Sequence, residues 1–331
     1  TGGSRGGGTA LVWAANPLDL DYTVRAVFAH IPPTHYGSLY GVSILTYPSM
    51  ANIWEMVMGK GTSRFDHDPP PMVMPPQQLD ILTGTNDIEE ANARGPIGLA
   101  ERLRGKQIGI SEGTHDSYFP LALFLAFDRR LTELGIDHAT AINLGDGHTM
   151  SFWLFSQTLA YLDALARGES YQVPSGRFYF IKTPSGQAPL EDILGAPVED
   201  LPFTVELPAR SGVGLPIDVS VCGGEGREWS VAMSGPGGDV VWEGAGIFDE
   251  TECVSFRLET PAETGVYTWA FTYDGETVPP TNTPFRGPDG CGVPAVTVVG
   301  EEQPSQEEAF FRPGSVGFGI DQFSSQPEGC D

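Results

Sequence analysis

Gly2-Gly3-Ser4-Arg5-Gly6, at the head of a 331-residue chain, is a G-x-S-x-G pattern, and no other stretch limits the fold so sharply. The pattern marks a strained turn from a strand into a helix, on which the serine hydroxyl stands clear of the sheet and can attack a carbonyl. Such a turn needs a strand ahead of Gly2, and the sequence offers none. The expectation is therefore the later part of a longer polypeptide, or one product of a cleaved precursor, with the upstream fragment as a partner.

In a chain with 42 glycines the pattern alone says little, and its company decides. A strand-like run, Gln107-Ile-Gly-Ile-Ser111, leads through Glu112-Gly-Thr-His-Asp116 into a long apolar helix over 121–134, with Gly135 as its C-cap. A strand over 139–144 ends in Leu144-Gly-Asp-Gly-His148. Ser4, Asp116 and His148 thus follow one another in the order serine, acid, histidine, each at a strand's carboxyl end, where open α/β sheets place their sites. A serine needs a base to take its proton, and an imidazole, titrating near neutrality, suits that role. Asp116 would orient the ring of His148, and the backbone N–H of Arg5 would supply half of an oxyanion hole. This chemistry requires no cofactor, and no helical H-x-x-x-H spacing suggests a metal.

Other assignments stand beside these. Asp116 is also placed to cap the following helix, and Asp87 is the fallback acid. Thr1, if exposed by maturation, has the hydroxyl and amine of an N-terminal nucleophile. His115 is a candidate to line the site. So are Tyr36, Tyr40 and Trp54, from an aromatic and Met/Pro-rich stretch too long for an ordinary α/β connection. A catalytically silent binding or assembly subunit is the non-enzymatic alternative.

Over residues 1–168 the sequence resembles the α/β-hydrolase superfamily. Thr1-Gly-Gly-Ser-Arg-Gly-Gly-Gly-Thr-Ala10 is similar to the elbow of secreted serine esterases and peptidases of prolyl-oligopeptidase or tripeptidyl-aminopeptidase type. Ala93-Arg-Gly-Pro-Ile97 and Gly109-Ile-Ser-Glu-Gly-Thr-His-Asp116 resemble the segment carrying the triad acid. The resemblance implies a serine hydrolase, acting on an ester or amide through an acyl-enzyme on Ser4.

The predicted organisation is an α/β domain over 1–170, the C-terminal half of a hydrolase sheet, with a lid-like insertion at 35–94. A linker over 171–199, an all-β sandwich over 200–300 and a tail over 301–331 follow. Period-two alternation carries the sandwich: Tyr267, Trp269, Phe271 and Tyr273 share one strand face. Net charge is −25, with 25 of the 43 acidic residues beyond position 170, which argues against nucleic acid and anionic membranes as partners. No apolar run is long enough for a membrane span. Cys222, Cys253, Cys291 and Cys330 form an even set without C-x-x-C spacing, read as disulfides of an extracytoplasmic protein, paired 222–253 and 291–330.

Overall fold

Ala26-Val-Phe-Ala-His30 and Ala139-Thr-Ala-Ile-Asn-Leu144 are buried along nearly their whole length, as strands covered on both faces must be. They form β2 and β4 of a six-stranded sheet in the computed structural model. Described are residues 1–16, 23–41, 84–85, 87–114, 116, 119, 121–144, 146–183, 186–206, 210–212, 217–259, 261–277 and 295–299. They fall into two units, Thr1–Pro197 and Val198–Asp331.

In the first unit the sheet runs β1 (Gly2–Gly3), β2 (Ala26–His30), β3 (Gln107–Gly113), β4 (Ala139–Leu144), β5 (Gly176–Thr183) and β6 (Gly186–Pro189), in sequence order. Successive pairs from β1 to β5 are parallel, and β6 returns antiparallel on β5. Helix α1 (Arg5–Ala15) follows β1 directly, α2 (Tyr36–Gly41) follows β2, and α3 (Ile88–Arg94), α4 (Pro96–Leu99) and a 3₁₀ turn (Ala100–Leu103) precede β3. Helix α5 (Leu121–Glu133) buries Leu121, Phe124, Leu125, Asp128 and Leu131, the stripe of a helix lying on a core. It stops where Gly135 turns left-handed at φ 62° and the N–H of Ile136 reaches back to Leu131. Helix α6 (Phe152–Ala166), capped by the Ser151 hydroxyl, packs on the sheet through Leu154, against Phe28 and Ala139.

Several boundaries differ from expectation. Gly2 and Gly3 pair with Ala29 and His30, a two-residue strand where the sequence suggested none. Residues 171–199 are not a linker. They contribute β5, β6 and a short helix α7 (Leu190–Leu194), and β5 completes the parallel run beside β4.

The second unit has two sheets. One has the order β11 (Val240–Ile247), β10 (Glu228–Ser234), β13 (Gly265–Tyr273), β15 (Ala295–Val299), β8 (Arg210–Gly212), with β14 (Glu276–Thr277) also on β13. The other is β12 (Cys253–Leu258), β9 (Ile217–Cys222), β7 (Thr204–Glu206). Val205, Val219 and Val221 of the smaller sheet join Trp229, Val231, Tyr267, Trp269 and Phe271 of the larger in one buried cluster. Cys222 and Cys253 lie directly opposite one another in the β9–β12 register and form a disulfide. The expected 291–330 pair and the 301–331 tail lie outside the described residues, as does 42–83 of the insertion.

Candidate active site

Ser4 sits between β1 and α1 with φ 54° and ψ −133°, a conformation that L-residues rarely adopt and that costs about 1–3 kcal/mol. Three backbone hydrogen bonds hold it there. Its N–H donates to the His30 carbonyl at 2.9 Å, and its own carbonyl accepts from the N–H groups of Gly7 and Gly8 at 2.8 and 3.3 Å. The turn is so tight that a Cβ on Gly2 would lie 2.2 Å from the Gly6 carbonyl oxygen. A second strained residue stands at the end of the neighbouring strand: Ile31, β-branched yet at φ 43°, donates its N–H to Ser111 on β3 at 2.6 Å.

The structure brings the three predicted residues into one chain of hydrogen bonds. The Ser4 hydroxyl lies 2.8 Å from His148 Nε2, and His148 Nδ1 lies 2.6 Å from Asp116 Oδ2. In the neutral tautomer that satisfies both contacts, Nδ1–H donates to the carboxylate and Nε2 accepts from the serine. The side chain of Asp116 is fully buried and that of His148 is 14% exposed. Asp116 also takes the capping role considered for it: its other oxygen, Oδ1, accepts the N–H of Phe119 at 3.1 Å. One carboxylate therefore fixes both the ring of His148 and the turn ahead of α5.

Arg5 is the first residue of α1, and helix geometry leaves its N–H without an intrahelical acceptor. The N–H groups of this first turn give the helix start a partial positive charge, directly beside Ser4.

The remaining candidates are not gathered in this way. Asp87 is the N-cap of α3 and accepts from Glu90 N–H at 2.8 Å. Thr1 is exposed, and its hydroxyl has no hydrogen-bond partner among the described residues. Tyr36 opens α2 and packs by Gly95, where a Cβ would meet its ring at 3.2 Å. Tyr40 falls in α2 with its side chain outside the description, and Trp54 and His115 lie outside the described residues.

Three further residues shape the site without having been singled out by the sequence. The ring of Phe119 stands edge-on to that of His148, with centroids 5.1 Å apart, and its signal was proximity to Asp116. Gln187 on β6 donates to Asp146 Oδ2 at 2.7 Å and accepts the N–H of Phe152 at 3.0 Å, tying down both ends of the segment that carries His148. Gly113 lets that segment close on β3, since a Cβ there would lie 2.3 Å from the Asp146 carbonyl oxygen. Gln187 had no signal, because it acts across an antiparallel return in what read as a linker.

His30, buried, and His35, half-buried, lie near this end of the sheet as neutral groups. Burial, then the positive charge of the chain's amino terminus, lowers the His30 imidazole to about 4. Burial, then Arg129, does the same for His35. Farther off, Asp128 is buried among His138, Thr140 and Arg177. Burial alone would raise its carboxyl, but the His138 hydrogen bond and the Arg177 charge outweigh this and hold it at about 2.

No protein-family model and no curated protein matches the chain. Among solved structures it is similar to the CARDB domain of a Pyrococcus furiosus protein in complex with di-metal ions. Identity there is 18%, over 29% of this chain and 84% of that one, with a TM-score of 0.19. It is also similar to a beta-glucuronidase of Bacteroides uniformis, at 10% identity over 68% of this chain and 30% of that one, with a TM-score of 0.22. Overlaps of this quality transfer neither a fold nor a function.

Proposed function

We propose that this chain is a serine hydrolase that cleaves an ester or amide bond through an acyl-enzyme on Ser4. The observation that carries the reading is the hydrogen-bonded series from Ser4 Oγ through His148 to Asp116, at 2.8 and 2.6 Å, built on a serine held at φ 54°. A strained serine, a histidine oriented by a buried carboxylate and a helix start beside them are the parts that acyl transfer needs.

In the proposed cycle, Ser4 Oγ attacks the substrate carbonyl carbon while His148 Nε2 takes the hydroxyl proton. The new imidazolium is stabilised by Asp116, and the carbonyl oxygen, now negative, faces the N–H of Arg5 at the start of α1. Collapse of the tetrahedral intermediate expels the alcohol or amine, which receives the proton from Nε2. A water molecule, deprotonated by the same nitrogen, then attacks the acyl carbon and returns Ser4 with release of the acid.

An α/β-hydrolase sheet followed by a β-sandwich is the fold proposed with this activity. It is supported by the parallel run from β1 to β5 and by the two sheets of the second unit that share one core. An extracytoplasmic location accompanies the Cys222–Cys253 disulfide, since such bonds persist in oxidising compartments. No helix among the described residues is long and apolar enough to cross a membrane.

The test is labelling with a fluorophosphonate, mapped by peptide mass. Modification at Ser4, lost in Ser4→Ala together with ester hydrolysis, is the expected result. Labelling at Thr1, or hydrolysis undiminished in Ser4→Ala, would overturn it.

A further inference from the structure

Met150 stands two residues after His148, is 52% exposed, and its Sδ lies 3.4 Å from the position a Cβ would take on Gly3. The segment 148–150 thus meets two consecutive residues of the elbow: the imidazole of His148 meets Ser4, and the thioether of Met150 meets Gly3. Gly3 has no side chain to cover the sulfur, so an apolar surface stays open to water beside the nucleophile.

That exposure is not required by the fold. The backbone of the segment is held by other groups. Thr149 N–H bonds to the Gly147 carbonyl, Ser151 caps α6, and Gln187 bridges Asp146 to Phe152. A methionine serving the core would be buried, as Met233 is at 2% exposure. Phe152, 68% exposed, follows at the same two-residue spacing and continues the apolar character of the stretch. Ligand sites are lined mainly by apolar side chains around a few placed polar groups, and methionine suits such a wall because its unbranched chain adapts to varied shapes.

We propose that Met150 is the wall of a subsite for an apolar substituent of the substrate, next to the carbonyl attacked by Ser4. The inference rests on the hydrolase reading and adds a substrate class to it: esters or amides carrying a hydrocarbon group of several carbons on one side of the scissile bond. A charged group at that place would lose its hydration against the thioether with nothing to pair it.

The experiment compares wild type, Met150→Leu and Met150→Glu on two series of esters. One varies the acyl chain from acetyl to octanoyl with p-nitrophenol as the constant leaving group, and the other varies the alcohol with a constant acetyl group. Fluorophosphonate labelling of Ser4 is measured on the same three proteins. In wild type, kcat/KM rises with chain length in one of the two series. Met150→Glu lowers the long-to-short ratio in that series about tenfold or more, the size expected when several methylenes lose an apolar contact. Met150→Leu keeps the preference for the long chain. Ser4 labelled in all three proteins, with the ratio unmoved by Met150→Glu in both series, overturns the subsite and leaves the hydrolase reading standing. Wild-type protein that neither hydrolyses any of the esters nor labels at Ser4 overturns both.

Discussion

The backbone N–H of Ser4 donates to the carbonyl of His30 at 2.9 Å, so the strained serine hangs from a histidine that is itself buried and held neutral. The His30 and His35 imidazoles, at about 4 in the folded chain, lie below the 6.5 of an unfolded histidine. The unfolded state therefore takes up protons first as pH falls. Stability is full above pH 6.5 and declines toward pH 4, with a slope of about 1.4 kcal/mol per pH unit for each histidine. Urea denaturation at pH 7 and pH 5 measures it, and equal stability at the two values would contradict the assignment.

His138 has the opposite sign. Burial opposes its protonation, but the hydrogen bond to Asp128 and that carboxylate's charge raise the imidazole above its ordinary value. Its contribution is full below pH 6.5 and is lost as pH rises through the raised value. Asp128→Asn should remove this alkaline decline and cost about 3–5 kcal/mol, because His138 and Arg177 lose a buried counter-charge. A urea series from pH 6 to 9 on both proteins decides.

Asp116→Asn keeps the size of the side chain but offers His148 the wrong partner, so the tautomer with Nδ1–H is no longer favoured. The expected loss in kcat is on the order of 10⁴, with a nearly unchanged melting temperature. Asp87→Asn, at the N-cap of α3, should leave kcat near wild type. Kinetics on one activated ester, with circular dichroism as the folding control, separates the two acids.

Two glycines of the elbow should respond in opposite ways. Gly2→Ala forces a methyl to within 2.2 Å of the Gly6 carbonyl oxygen and should abolish Ser4 labelling. Gly6→Ala meets no atom within 4 Å and replaces glycine inside a helix, which should add about 0.5–1 kcal/mol of stability and preserve labelling. Labelling rates and thermal melts of the two variants test the pair.

The Cys222–Cys253 bond closes a separation of 31 residues across a β pair. Replacing both with serine should lower the stability of the second unit by about 3 kcal/mol. Urea denaturation of wild type and the double variant without reductant, followed by near-ultraviolet circular dichroism, measures the difference.

The residues proposed for chemistry were legible because each sits where a local signal stops: a Gly-rich turn at Ser4, and the ends of apolar runs before Asp116 and His148. What was missed depended on distant partners. Helix α1 begins at Arg5 and runs through three successive glycines, a composition that is by itself a poor helix former. Gly7 and Gly8 are in place there because side chains would strike the His30 carbonyl and Pro33 at 2.9 and 2.8 Å. Strand β5 was passed over, its apolar residues flanked by Arg177 and Lys182, and Arg177 is tolerated because it bonds to Asp128, 49 residues earlier.

The hydrogen bonds of the site join positions 144 and 32 residues apart, and their side chains hang from the ends of three separate strands. A chain that has assembled only part of the sheet holds Ser4 without His148, or His148 without Asp116. Under the proposed mechanism, reactivity at Ser4 is a folding clock: in refolding, labelling should appear only when β1, β3 and β4 have found their neighbours, and its half-time should date the closure of the sheet.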